Sequence, residues 1–352
     1  MSYQPPTTAA GALRLHYNEN TAGCSPAVLA ALAAVTREDA AFYPDYAPIT
    51  ARCEREFGVD AGWVQLTNGL DEGLQVAAQW ARSAQDTTSN RTGARPEVII
   101  TEPTFEMYDA CAETVHANLV RLPPEPDFRF PLDRLLAALT ANTRLIYLTD
   151  PNNPTGLPLP ADAVQAVAEA APHALVLVDE AYADFSGRTS IGPLLDRCRH
   201  VVVGRTFAKA HGLAALRAGA LVAHPDTLDE LRRLLPPFSL NVAAIRALAA
   251  ALDDRACLDW YVSESVTSRT RIYEFCRRHD FPFWPSQANF VLFRVGDRAT
   301  AVVNALAERR ILIRDKSAAA GCAGCVRMTA GVVAHTERAL NALEEILASR
   351  AY

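Results

Sequence analysis

Two lysines, Lys209 and Lys316, stand among the 34 basic residues of this 352-residue chain. The others are arginine, whose guanidinium stays protonated and forms no imine. Lysine-based covalent chemistry therefore has two candidates. Lys209 sits in Arg205-Thr206-Phe207-Ala208-Lys209-Ala210-His211-Gly212, after the apolar run Val201-Val202-Val203. Open α/β sheets bind ligands just beyond the carboxyl ends of their strands, which is where this spacing puts Lys209. Desolvation there would lower the amine pKa and favour an imine. A solvated loop lysine would have the same letters around it. Lys316, in Asp315-Lys316-Ser317 ahead of an Ala/Gly run, reads as an exposed loop residue.

Other chemistry-bearing residues also fall at the ends of apolar runs. Asp179 closes the run Ala174 to Val178 and precedes Glu180-Ala181-Tyr182. A buried carboxylate needs a partner, and a protonated pyridine nitrogen is one that keeps its ring an electron sink. A helix cap or a metal ligand are the other readings of such an Asp. Asp150-Pro151-Asn152-Asn153-Pro154-Thr155-Gly156 is a turn dense in Asn, Pro and Gly. It is either a plain tight loop or one that aims an Asn into a site. Thr67-Asn68-Gly69-Leu70-Asp71-Glu72-Gly73 opens a helix, whose free N–H groups can hold a phosphate. Arg217, in Leu216-Arg217-Ala218-Gly219, is either a second phosphate partner or half of a surface ion pair.

The elements that must position these residues follow from the patterning. Ser25-Pro26 opens an Ala/Leu-rich helix, with Ser as cap and Pro in the first turn. Tyr43-Pro44-Asp45-Tyr46 reads as a turn or extended piece, followed by a helix through Arg52 and Phe57. Val98-Ile99-Ile100, Arg144 to Leu148, Ala174 to Val178, Val201-Val202-Val203 and Ala220-Leu221-Val222 read as buried strands. Helical patterns lie between most of them, which predicts an α/β fold with a mainly parallel, right-handed sheet sandwiched by helices. Ser83 to Pro96 reads as a polar surface loop. Beyond Pro236-Pro237 a long helical stretch runs from Asn241 to His279 with a break at Asp253-Asp254, and a smaller α+β unit follows. The expected divisions are an arm over 1–25, a large domain over 26–240 and a small domain over 241–352, with 26–40 packing near the small domain.

Half of the residues are hydrophobic, enough for a substantial core, and the net charge is −6. The arginines are interspersed with Asp and Glu, which argues against a nucleic-acid partner. No run is long and apolar enough for a membrane span, and Met1 to Ala12 lacks the basic and apolar start of a secretory signal. A cytoplasmic protein is expected. The eight cysteines are dispersed, which suits reduced thiols. Cys322 and Cys325 form a C-x-x-C without a second ligand pair, so no metal site is expected.

Taken together, Asn153-Pro154-Thr155-Gly156, Asp179-x-x-Tyr182, Thr206-x-x-Lys209 and Leu216-Arg217-x-Gly219 resemble the pyridoxal 5'-phosphate (PLP) dependent, fold-type I aminotransferases of class I/II. The resemblance runs from Asn18-Glu19-Asn20 to Arg327. It implies that Lys209 carries the cofactor as a Schiff base and shuttles a proton, with Asp179 pairing the pyridine nitrogen. Asn153 and Tyr182 would hydrogen-bond the ring oxygen, and Tyr108 would stack on the ring. Backbone N–H groups of Gly69, Leu70 and Asp71, with Thr206 and Arg217, would hold the phosphate. Tyr43 would reach the phosphate of the other subunit of a homodimer with shared active sites. Arg327 would fork onto the substrate α-carboxylate, with Asn153 beside it.

Within that class the chain is most similar to the histidinol-phosphate aminotransferases. Tyr43-Pro44-Asp45, Ser286-Gln287-Ala288-Asn289-Phe290 and Ile311-Leu312-Ile313-Arg314-Asp315 carry this likeness. It implies that Arg314 helps bind a substrate phosphate, and that the small-molecule donor and keto acceptor are histidinol phosphate and 2-oxoglutarate. Three departures stand out. Ala208 occupies the usual Ser position, the stretch before Asn18 is short and lacks a Pro-Tyr segment, and Thr21-Ala22 follows Asn20. Alternatives are a relative acting on another aromatic, basic or unusual amino acid, and a decarboxylase of a phosphorylated amino acid. A PLP-sensing regulator would need a DNA-binding domain for which the chain has no room.

Overall fold

The computed structural model describes residues 11–88, 94–188 and 193–349. Twelve strands are present among them: β1 (Leu13–Arg14), β2 (Val64–Asn68), β3 (Glu97–Thr101), β4 (Asn118–Leu122), β5 (Thr143–Thr149), β6 (Leu175–Asp179), β7 (Val201–Thr206), β8 (Ala218–Ala223), β9 (Phe290–Arg294), β10 (Ile311–Leu312), β11 (Arg314–Asp315) and β12 (Cys325–Thr329). Seven form one sheet in the order β2-β8-β7-β6-β5-β3-β4. β4, β3, β5, β6 and β7 are mutually parallel, whereas β8 runs antiparallel to both β7 and β2. The carboxyl ends of β5, β6 and β7 therefore lie side by side at Thr149, Asp179 and Thr206.

Every residue of β5 and β6 is buried, because helices cover both faces of the sheet. The two-residue period of a strand sends alternate side chains to different cores. Ile99, Ile146, Val176, Val178 and Val203 pack on one face with the helices Ala47–Phe57, Ala163–Ala170 and Val242–Asp253. Val98, Ile100, Leu145, Leu177 and Val202 pack on the other with the helices Leu70–Thr88, Met107–Thr114 and Pro225–Arg232.

The long helical stretch is broken where the sequence suggested. Val242–Asp253 ends and Arg255–Arg278 begins at Asp254, whose Oδ1 accepts from the Cys257 N–H at 3.2 Å. Ala244, Ala247, Leu248 and Ala251 of the first helix belong to the large core. A second sheet, β11-β12-β9, is antiparallel and packs with Arg255–Arg278, Ala299–Glu308 and Val333–Ala348. β1 of the arm pairs parallel with β10, and Leu15 is fully buried in this second core.

Two strands went unpredicted and one expectation needed revision. The edge strands β2 and β4 carry Gln65, Thr67, Asn68, Asn118 and Arg121 and have no continuous apolar run. Residues 83–88, expected in a loop, continue the helix Leu70–Thr88, and 89–93 lie outside the described residues. No helix of the described residues is long and apolar enough to cross a membrane.

Candidate active site

One cavity opens at the carboxyl ends of the central strands. Asp179, Lys209, Thr206, Asn153, Tyr182, Leu70, Asp71, Arg217, Arg314 and Arg327 all line it. The sequence expectation thus converges on one place from seven separate segments.

Asp179 ends β6 in the floor of the cavity, 3% exposed. Its Oδ2 accepts from the Tyr108 hydroxyl at 2.8 Å and its Oδ1 from the Ala181 N–H at 3.0 Å. Both donors are neutral. Burial pushes the carboxyl up to about 6, and the two hydrogen bonds pull it back only in part. A buried carboxylate of this kind fits a cationic N–H partner arriving from the cavity. Lys209 lies on the loop after β7, and its Nζ donates to the Tyr17 carbonyl at 3.1 Å. Tyr182, 5% exposed, accepts from Asn18 Nδ2 at 3.0 Å through its hydroxyl.

At the turn from β2 into the helix Leu70–Thr88, Gly69 has φ +73°, a conformation that favours glycine. A side chain on Gly69 would run into the Arg217 guanidinium. Gly219 of β8 is equally confined, since a Cβ there would stand 2.6 Å from Gly69 C and Leu70 N. The start of a nineteen-residue helix thus lies beside the guanidinium of Arg217, whose Nη2 donates to Asp71 Oδ2 at 2.7 Å. A helix start and an arginine together suit a phosphate. Thr206 Oγ1 is 3.2 Å from the Ala208 N–H, which donates to it. These groups fit the phosphate, ring nitrogen and aldehyde of PLP.

Arg327 of β12 is fixed from two sides, donating to Asn153 Oδ1 and, at 2.6 Å, to the His16 carbonyl. Tyr43 does not line this cavity. It is 79% exposed, and its ring stacks on Phe238 with centroids 4.3 Å apart.

Tyr108 is a correction. It was expected to stack on the cofactor ring, but it is fully buried beneath Asp179 and its own ring stacks on Tyr147 at 4.5 Å. Of the two aromatics in this segment, the one that lines the cavity is Phe105, three residues earlier. The helix Met107–Thr114 starts between the two residues, so Tyr108 turns inward and Phe105 stays on the wall. Lys316 is a second correction. It is 8% exposed, lines the same cavity, and donates to Glu106 Oε1 at 3.0 Å.

Sequence reasoning also passed over His16 and Tyr17, which lead into the Asn-Glu-Asn triplet. The imidazole of His16 is 4% exposed, and burial, with Arg14, Arg314 and Arg327 nearby, lowers it to about 4. Neither of its nitrogens has a hydrogen-bond partner among the described residues. Asn18 beside them has φ +58°, which asparagine tolerates better than most residues. Cys322 and Cys325 are buried around Leu292, away from this cavity.

Residues 11–344 match the family described as aminotransferase class I and II. Histidinol-phosphate aminotransferase 1 of Thiobacillus denitrificans is 34% identical over 343 residues, covering 96% of this chain and 86% of that one. The histidinol-phosphate aminotransferase of Haloarcula marismortui is 36% identical over 341 residues, covering 95% and 90%. Among solved structures, histidinol-phosphate aminotransferase from Sinorhizobium meliloti in complex with pyridoxal-5'-phosphate superposes with a TM-score of 0.84 at 27% identity, covering 97% and 92%. L-threonine-O-3-phosphate decarboxylase from Porphyromonas gingivalis, at 22% identity and a TM-score of 0.76, shares the fold.

Proposed function

For a chain that belongs to the class I and II aminotransferases, we propose ping-pong transfer of an amino group from histidinol phosphate to 2-oxoglutarate. The chain is a PLP-dependent transaminase. When bound, PLP supplies the aldehyde that takes up the amine and the electron-withdrawing ring that stabilises negative charge at the substrate Cα.

The protein's own groups do the rest. Lys209 Nζ, on the cavity wall, anchors the cofactor aldehyde and is the base that moves the proton at the substrate Cα. Asp179 holds the proton on the ring nitrogen. Its buried carboxylate is stabilised once a cation sits beside it. Tyr182 and Asn153 orient the ring oxygen. Gly69, Leu70, Asp71, Thr206 and Arg217 hold the cofactor phosphate, and Phe105 covers the ring in place of Tyr108. Arg327, pinned by Asn153 and His16, presents its guanidinium to the α-carboxylate of the acceptor.

The observation that carries the substrate reading is the cationic part of the cavity wall that Lys209 also lines. Arg314, Lys316 and Arg327 all line it, as a phosphorylated donor and a dicarboxylate acceptor require. The test is the visible spectrum of the holoenzyme during titration with single amino donors. Histidinol phosphate is expected to bleach the Lys209-bound cofactor at low concentration. If another donor does so while histidinol phosphate does not, this reading is wrong and that donor replaces it.

The same proposal includes a homodimer that shares its active sites. Phe42, Tyr43 and Phe238 are 68%, 79% and 49% exposed and leave an aromatic surface of the kind a partner covers. From it Tyr43 would reach the cofactor phosphate of the second subunit. We place the enzyme in the cytoplasm, where its eight free cysteines would stay reduced.

A further inference from the structure

Lys316 owes its position to strand pairing. Its backbone N–H donates to the Cys325 carbonyl at 3.0 Å, which extends the β11–β12 ladder by one residue. Residues two apart on a strand share a face, so Lys316 follows Arg314 into the cavity. Asp315 between them turns away. Its Oδ1 accepts from the Ser317 N–H at 2.8 Å and its Oδ2 from the Thr300 hydroxyl at 2.7 Å. Directly across the ladder from Arg314 stands Arg327, which lines the cavity as well.

Like charges opposed across a ladder destabilise it, and here a buried lysine is added beside them. Burial and Arg327 both lower the Lys316 amine from its ordinary value. The compensating group is Glu106, at the start of the helix Met107–Thr114 on the far wall. One oxygen accepts from Lys316 at 3.0 Å and the other lies 3.7 Å from Arg314 Nη2. Burial opposes its ionisation, but Lys316 and Arg314 hold its carboxyl below the ordinary range. The two partners differ in freedom, for Lys316 is 8% exposed at its side chain and Glu106 46%.

We infer that Lys316 is a specificity-determining residue, gripping with Arg314 the anionic end of the substrate, and that Glu106 is the internal carboxylate this anion displaces. The inference rests on the proposed reading that the substrate carries an anion remote from the reacting amine. A phosphate brings more acceptor oxygens and more charge than one carboxylate. It can therefore replace Glu106, whose exposed side chain can turn to water. A donor with a neutral end leaves the Glu106 bridge in place and gains nothing from the two cations. The pair thus discriminates by charge at a point beyond the α-carboxylate site of Arg327.

The test uses the holoenzyme, in which the cofactor fills its own phosphate site, and inorganic phosphate as a competitor of the amino donor. Its inhibition constant is compared in wild type, Glu106→Gln, Lys316→Met and Lys316→Arg. Glu106→Gln removes the internal competitor and should bind phosphate about fivefold to tenfold more tightly. Lys316→Met should bind it about tenfold more weakly, with Lys316→Arg restoring most of the loss. The opposite signs are the signature, since damage to a structural pair would weaken binding in both. If Glu106→Gln binds phosphate no better than wild type, or Lys316→Met binds it as well, the exchange is wrong. Intact cofactor absorbance in each variant verifies folding. Phosphate inhibition that moves as stated while histidinol phosphate is not a donor would overturn the substrate reading alone. Turnover of histidinol phosphate with unmoved phosphate inhibition would overturn this inference alone.

Discussion

The phenol of Tyr108 donates to Asp179 Oδ2 over 2.8 Å from beneath the cavity floor, and accepts in turn from the Thr149 hydroxyl at 2.8 Å. Asp179 is thereby aimed upward by a group that is itself buried and does not line the cavity. A neutral donor can orient a carboxylate without supplying the charge that burial makes it need. The remaining demand is met from the cavity side.

That demand makes the cofactor-free protein sensitive to pH. Burial raises the Asp179 carboxyl to about 6. Between the ordinary carboxylate range and that value, the folded chain keeps a proton that the unfolded chain has released. The stability due to this group therefore falls as pH rises through that window. Asp179→Asn should abolish the fall, so the cofactor-free variant should melt above cofactor-free wild type near neutral pH. Its turnover should drop by about a hundredfold or more, because the ring nitrogen loses its counterion. Thermal melts across pH, together with steady-state rates, decide this. A variant with wild-type turnover would remove Asp179 from the mechanism.

Lys209 is one of only two lysines in the chain, and Lys316, the other, is engaged with Glu106. Lys209→Ala should abolish both the absorbance of the covalently held cofactor and turnover. Mass spectrometry after borohydride reduction should place the cofactor on Lys209 in wild type. Full activity in the alanine variant would end the proposed chemistry.

Gly219 leaves no room for a methyl group beside Gly69 and Leu70. Gly219→Ala should push the start of the helix Leu70–Thr88 off its position, at a cost of about 1–3 kcal/mol. Both melting temperature and cofactor affinity should fall, and equilibrium dialysis would measure the latter. Unchanged affinity would mean that the helix start does not hold the phosphate.

Tyr43 is exposed on the aromatic surface that a second subunit would cover. In a dimer with shared sites, Tyr43→Ala should weaken cofactor binding about tenfold, the scale of one good hydrogen bond to a charged group. Sedimentation should show two copies per particle. A monomer with unaltered cofactor affinity would contradict the shared site.

Much of the site was legible because its residues sit at the ends of runs buried on both faces. Val176 to Val178 must lie inside a covered sheet, so Asp179 must stand at its edge, and the same holds for Val201 to Val203 and Lys209. Local periodicity is enough for that inference. It does not reach β2 and β4, whose polar residues are tolerated at the edges of the sheet. Nor does it separate Phe105 from Tyr108. Both are aromatics of one short segment, and the start of a helix between them decides which faces the cavity.

The charge of the cavity wall lay furthest out of reach. Asp315-Lys316-Ser317 gave the sequence no reason to bury a lysine. Pairing with Cys325, nine residues along the chain, extends β11 and turns Lys316 into the cavity beside Arg314. Glu106 meets it from the far wall, 210 residues away in sequence. The sequence by itself determined which elements form and which reactive residues end the central strands, because burial and strand period are local properties. Only the tertiary structure decided which charges face one another, because pairing across strands and domains is set by contacts distant in sequence.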